Sequence, residues 1–230
     1  MTTCPELRFR LPDGSEAATR VHTLLNAGYA GRNQADVAAH VAELAELGVP
    51  APAATPALYA VAPYLAQQTG EVPAQHGRTS GEAEWALVIT GPEPHDVLLT
   101  AACDHTDRAL EVHGVAWSKN AGPDVLASTA WRLTEVADRL DELTLRAWVG
   151  DTPIQDGTLA ELLPPAYWLD FLREHDLYAP GVVLLSGTIP MVSGVDQFAD
   201  RWRVALGDPA RGAASELEYR VRRLPEFGEK

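Results

Sequence analysis

Three carboxylates in the middle of the chain have the spacing of a cation site. In Ser80-Gly-Glu82-Ala-Glu84-Trp85, two acids lie two residues apart in a segment that reads as a strand. A strand has period 2, so Glu82 and Glu84 project from one face while Ala83 and Trp85 project from the other. Like charges held that close repel unless water or a cation lies between them. A second apolar run, Val97 to Cys103, delivers Asp104 at its end. A carboxylate at that strand mouth, beside the other two, makes a three-oxygen site suited to a hard divalent cation, with water completing the shell. The same spacing of Glu82 and Glu84 also fits the solvent face of an edge strand.

Two other groups could move protons or hold an anion. His40 and Glu43 are three residues apart and share one face of a helix. A carboxylate there orients an imidazole and raises its basicity, which suits a general base acting on water; an ordinary surface His–Glu pair has the same spacing. Leu184-Leu-Ser186-Gly-Thr188 ends an apolar run in a glycine turn with two hydroxyls, a geometry that can hold a carboxylate or a developing oxyanion. A Ser186–His105–Asp107 hydrolase is conceivable, but the Gly-x-Ser-x-Gly elbow is absent. Cys103, inside an apolar run, reads as a buried structural thiol rather than a nucleophile.

The elements that must position these groups follow from periodicity. Leu7–Leu11 reads as a strand closed by the turn at Pro12-Asp13-Gly14. Asn33–Leu47 is a helix, with apolar Val37, Val41, Leu44 and Leu47 at helical spacing and Gly48 and Pro50 as its stop. Val49–Pro63 reads as extended coil with one helical turn. Glu84–Thr90, Val97–Ala102, Leu145–Val149, Gly181–Leu185 and Glu216–Val221 read as strands. Trp131–Leu143 fits a helix or a long irregular strand. Leu159–Arg173 is expected to be helical, interrupted by Pro164-Pro165. Strands in the middle with helices at the margins predict an α+β fold.

Composition narrows the partners. The 230 residues carry a net charge of −14 with only two lysines, Lys119 and Lys230, which disfavours nucleic acid. No stretch is apolar enough over 18 residues to span a bilayer. The first residues lack the pattern of a signal peptide, and two cysteines, Cys4 and Cys103, cannot make a disulfide framework. A cytoplasmic setting with reduced thiols is expected.

In order along the chain, six segments resemble the fumarylacetoacetate hydrolase superfamily. Asn26-Ala-Gly-Tyr29 with His40-Val-Ala-Glu43 resembles its Asn-Tyr turn and His-x-x-Glu dyad. Gly81-Glu82-Ala-Glu84-Trp85 is similar to its Glu-x-Glu strand. Cys103-Asp104-His-Thr-Asp-Arg108-Ala-Leu-Glu111 lies where the family has Asn-Asp-x-Ser-Ala-Arg-Asp-x-Gln, and Trp117-Ser-Lys119 where it has Gly-Lys-Ser. Val149-Gly-Asp-Thr-Pro-Ile-Gln155-Asp-Gly157 is similar to its Gln-Asp-Gly hairpin, and Ala179-Pro-Gly181 through Gly187-Thr188-Ile-Pro190 to its Pro-Gly-Asp…Gly-Thr-Pro signature. The resemblance covers residues 20–195, after a strand-and-turn appendage at 1–20 and before a divergent segment at 196–230, all in one domain.

The resemblance implies a mixed β-sheet roll with flanking helices, forming a homodimer. It implies Mg²⁺ or Mn²⁺ on Glu82, Glu84 and Asp104, and a small 2-oxo or 1,3-dicarbonyl acid as substrate. Cleavage of a C–C bond by hydrolysis is the first expectation; decarboxylation, tautomerisation or a hydratase or cyclase step on the same scaffold is the alternative, and a non-catalytic binding protein the second alternative. Carried over, His40 and Glu43 activate water or move a proton, Lys119 assists at the oxyanion, and Tyr29, Arg32, Arg108, Gln155 and Thr188 hold substrate. The chain departs from the pattern in having Arg32 at the family's usual His position, Glu111 in place of Gln and Val182 in place of Asp. An arginine cannot serve as the base at neutral pH, so if Arg32 stands in for the His, decarboxylation or tautomerisation gains over hydrolysis.

Overall fold

The computed structural model describes residues 4–225 and Phe227. Residues 1–3, 226 and 228–230, which hold the outer ends of the expected 1–20 and 196–230 segments and Lys230, lie outside the described residues.

β1 (Glu6–Arg10) buries Leu7 and Phe9 and turns back into β2 (Glu16–Arg20) as a separate hairpin. Then follow β3 (Thr23–Gly28), α1 (Gln34–Glu46), β4 (Ala57–Val61), β5 (Ala66–Gln67), β6 (Glu71–Ala74), β7 (Thr79–Ile89) and β8 (Val97–Asp107). The short helix α2 (Val115–Lys119) leads to β9 (Asp124–Leu126), β10 (Trp131–Arg132), β11 (Thr144–Val149) and β12 (Thr152–Thr158). α3 (Pro165–Glu174), β13 (Val182–Leu185), β14 (Arg201–Asp208) and β15 (Ala213–Arg223) complete the order.

The strands form a larger sheet in the order β4-β3-β13-β7-β8-β9-β5, with β10 pairing β8, and a five-stranded sheet in the order β12-β11-β14-β15-β6. Both are mixed, since β3–β13, β5–β9 and β6–β15 are parallel among antiparallel neighbours. This is the expected α+β mixed roll with few helices.

The pair β7–β8 is the spine, antiparallel over eleven residues and almost wholly buried. Its odd-numbered side chains, Ala83, Trp85, Leu87, Leu99, Ala101 and Cys103, enter one core with Trp202, Val204, Leu206, Leu217 and Tyr219 of the five-stranded sheet. Its even-numbered side chains Ala86, Val88, Leu98 and Ala102 enter a second core with Leu7 and Phe9 of the first hairpin. The segment from 196 onward therefore supplies two of the five strands of the second sheet, β14 and β15, and closes the main core.

Several expectations change. α1 forms where expected, with Asn33 as its N-cap, but only Val37 of its apolar stripe is buried and Leu47 is exposed. Residues 131–143 hold a two-residue strand and short 3₁₀ turns in place of a helix or long strand. Pro164-Pro165 starts α3 rather than interrupting it, because proline at the first helical position lacks only an N–H that would be unpaired there anyway. The expected coil at 49–63 contains β4. Among the described residues no helix is long and apolar enough to cross a membrane.

Candidate metal centre

Glu82 stands opposite Asp104 in the β7–β8 register, so both carboxylates and Glu84 leave the sheet on its even-numbered face, beyond the cover of the β1–β2 hairpin. One oxygen from each of the three lies within 4.8 Å of the others. Glu84 and Asp104 are fully buried, and Glu84 Oε1 and Asp104 Oδ1 have no hydrogen-bond partner. Buried anionic oxygens left unpaired are costly unless a cation or donor meets them. The set is all hard oxygen, which fits Mg²⁺ or Mn²⁺. The edge-strand alternative fails, since β7 is central in its sheet.

Two cations lie against this cluster. Lys119, brought up by α2, is buried and donates to Asp104 and, at 3.4 Å, to Glu82. Arg108 donates to Glu82 at 2.7 Å and to Glu111 at 2.6 Å. Burial works to raise the Glu82 carboxyl, but Arg108 and Lys119 more than reverse this and hold it at about 2. Glu84 is pushed well up, first by burial and then by Asp104 and Glu82, with Lys119 only partly offsetting them. Burial also opposes the charge on Lys119, yet Asp104, Glu82 and Glu84 keep its ammonium well above the ordinary lysine value.

A fourth acid, Asp124, was not expected here. β9 pairs with β8 and sets Asp124 opposite Asp104. It is fully buried, accepts from Asn26 at 3.1 Å, and is pushed well up by burial and by the Asp104 charge. The loop that delivers it passes so close to β8 that a Cβ at Gly122 would run into the His105 carbonyl, a place where glycine is required. The signal for Asp124 was the Gly122-Pro123-Asp124 turn after Lys119, but nothing local ties it to Asp104.

The other expected site residues divide into three groups. Gln155 and Thr188 are brought beside Glu84's strand and hold its backbone. Gln155 accepts from the Ala83 N–H at 2.9 Å and donates to Thr188 and to the Ile189 carbonyl, and Thr188 donates to the Ala83 carbonyl. Gly187, with φ of +81°, donates its N–H to Glu84 Oε2 at 2.7 Å. Tyr29, in the left-handed region at φ 55°, lies between the cluster and α1. Its phenol is pushed up to about 12 by burial, then by Tyr59 and Glu111, with Lys119 opposing, and its ring lies 6.2 Å from that of His40. His40 and Glu43 face each other at 3.7 Å but are 59% and 75% exposed on α1. Arg32 turns away to Asp141 and the Leu162 carbonyl.

The Ser186–His105–Asp107 triad does not form. Ser186 Oγ is engaged by the Trp85 N–H and the Gly187 carbonyl, His105 lies between Tyr219 and Thr79, and Asp107 lies 3.1 Å from the His76 ring and accepts from two backbone N–H groups. Cys103 is buried as expected, and burial pushes its thiol up.

A family model described as "Protein of unknown function (DUF2848)" matches residues 27–219, taking in the whole cluster and most of β15. The chain belongs to the DUF2848 family. No curated protein matches it. Its fold is that of the fumarylacetoacetate hydrolases. A fumarylpyruvate hydrolase from Pseudomonas aeruginosa, solved with Mn²⁺ and pyruvate, is 16% identical with a TM-score of 0.62, over 96% of this chain and 97% of that one. A 2-keto-3-deoxyarabinonate dehydratase is 16% identical with a TM-score of 0.63, over 90% and 75%. A maleylpyruvate hydrolase from Sphingobium sp. SYK-6 is 14% identical with a TM-score of 0.56, over 91% and 75%. Within DUF2848, then, this chain has the architecture of enzymes that include hydrolases and a dehydratase.

Proposed function

We propose that the protein is a divalent-metal-dependent enzyme that hydrolyses a C–C bond in a 2-oxo or 1,3-dicarbonyl acid of the acylpyruvate kind. The observation that carries this reading is the cluster of Glu82 with the fully buried Glu84 and Asp104, with two carboxylate oxygens unpaired and a lysine against it. Mg²⁺ or Mn²⁺ held by these three would polarise a chelating oxo acid and offset negative charge that develops on it. Lys119 adds a fixed positive charge beside the same oxygens. Gln155, Thr188 and Gly187 fix the strand and Glu84 so that the donors are set before substrate arrives. Tyr29 closes the side toward α1, where His40, oriented by Glu43, takes a proton from water. Arg108 holds Glu82 in place. The homodimer implied by the family resemblance belongs to the same reading.

A second reading, decarboxylation or a tautomerase, hydratase or cyclase step at the same centre, is favoured by one observation: His40 is largely exposed, on a helix with one buried residue. Acylpyruvate hydrolysis and oxaloacetate decarboxylation, each assayed with Mn²⁺, separate the two. We expect hydrolysis that EDTA abolishes and Mn²⁺ restores, and that His40→Ala lowers by roughly 100-fold. Decarboxylation untouched by His40→Ala, without hydrolysis, would establish the second reading. No turnover, with metal affinity insensitive to Glu82→Gln, would point to a non-catalytic binding protein.

A further inference from the structure

The acid cluster stands where the larger sheet thins out. β13 pairs β7 only as far as Ala86, and Asp104 is the last residue of β8 in register with β9. Gln155 and Thr188 hold the β7 side of this end at Ala83. On β8 the corresponding hold comes from behind. Cys103 and His105, the chain neighbours of Asp104, project from the opposite face of the sheet, and both meet one phenol of the second sheet. Tyr219 Oη lies 3.2 Å from Cys103 Sγ and 3.0 Å from His105 Nδ1. The other ring nitrogen, His105 Nε2, lies 3.0 Å from Thr79 Oγ1 on β7. All four side chains are buried. Gly81, opposite His105 and one residue before Glu82, makes the room, since a Cβ there would lie 2.7 Å from Tyr219 Oη and from the Trp202 ring.

Buried polar side chains that all find partners rigidify a core and specify one arrangement of it. Here the arrangement specified is that of the residues on either side of Asp104. Resting on the metal-dependent reading above, we propose that Tyr219 is a positioning residue for the metal centre. Through Cys103 and His105 its hydroxyl fixes the backbone at Asp104, and with it the direction in which the Asp104 carboxylate meets the cation.

The experiment is titration of Mn²⁺ into metal-stripped wild type, Tyr219→Phe and Ser215→Ala, with the fold of each checked by thermal melting and bound Mn²⁺ examined by EPR. Ser215 is the control. It also ties β15 to β8, lying 3.2 Å from Thr100 Oγ1 and accepting from the Ala101 N–H at 3.2 Å, but farther from Asp104. Tyr219→Phe keeps the ring and loses the hydroxyl; it should weaken Mn²⁺ about tenfold and change the EPR line shape of the bound ion. Ser215→Ala should stay within about twofold of wild type in affinity, with the line shape unchanged. Should Tyr219→Phe not fold, Thr79→Val, which releases the other end of the His105 tie, is read by the same two limits. Wild-type affinity and line shape in the variant, or an equal loss in Ser215→Ala, overturns the inference alone. Wild type that binds no Mn²⁺ overturns the metal-dependent reading and the inference with it.

Discussion

The two faces of the β7–β8 pair share one backbone and differ in what their side chains leave unpaired. On the odd-numbered face, Ala83, Trp85, Leu87 and Cys103 pack against the second sheet, and His105 has both ring nitrogens engaged by Tyr219 and Thr79. The unpaired groups in this core are neutral indole N–H donors on Trp85, Trp168 and Trp202. On the even-numbered face the apolar run Ala86–Val88 gives way to Glu82, Glu84 and Asp104, and the unpaired atoms include one carboxylate oxygen each on Glu84 and Asp104, with the Thr106 hydroxyl farther along β8. One face is built for stability. The other holds acids whose pairing is incomplete without a cation, which is the kind of local inconsistency that marks a site.

The comparison breaks most easily at Trp85. Trp85→Ala should cost about 3–5 kcal/mol of unfolding free energy in urea melts, because a large side chain is removed from a packed core. A cost near that of a surface change would deny the odd face its structural role. Next comes Glu82→Gln, which withdraws the carboxylate between Arg108 and Lys119 and leaves the buried Lys119 and the partly buried Arg108 incompletely compensated. We expect a loss of roughly 2–3 kcal/mol in metal-stripped protein. The smallest effect is at Glu84, the neighbour on the same face. Glu84→Gln removes an acid that burial and its neighbours already push toward neutrality. Metal-stripped stability should move by less than about 1 kcal/mol, in either direction. If Glu84→Gln costs as much as Glu82→Gln, Glu84 is a structural acid and the even face is not organised for a ligand.

Much of this was legible in the sequence because it is local. Period 2 in a strand put Glu82 and Glu84 together, an apolar run ended at Asp104, and helical spacing gave α1 between its Asn33 cap and Gly48. What was not legible depends on pairing between distant segments. Asp124 reaches Asp104 only through the three-residue strand β9, and Asn26 reaches Asp124 from β3, 98 residues earlier. Gln155 and Thr188 read as ligand-holding groups by resemblance, and the structure gives them a task no spacing reveals, the hydrogen bonding of the Ala83 backbone where β13 no longer covers β7. Residues 131–143 misled for the opposite reason. Their apolar content suits a helix or strand, but it is distributed to the core through short turns.

The measurement that bears most directly on the central claim is titration of Mn²⁺ into metal-stripped protein, wild type beside Glu84→Gln, with the fold of both checked by thermal melting. We predict saturable one-site binding by the wild type and affinity at least about 100-fold weaker in Glu84→Gln, at a melting temperature within about 4 °C of the wild type. Wild type that does not bind Mn²⁺, or a variant that binds it equally well, would contradict a metal centre at Glu82, Glu84 and Asp104.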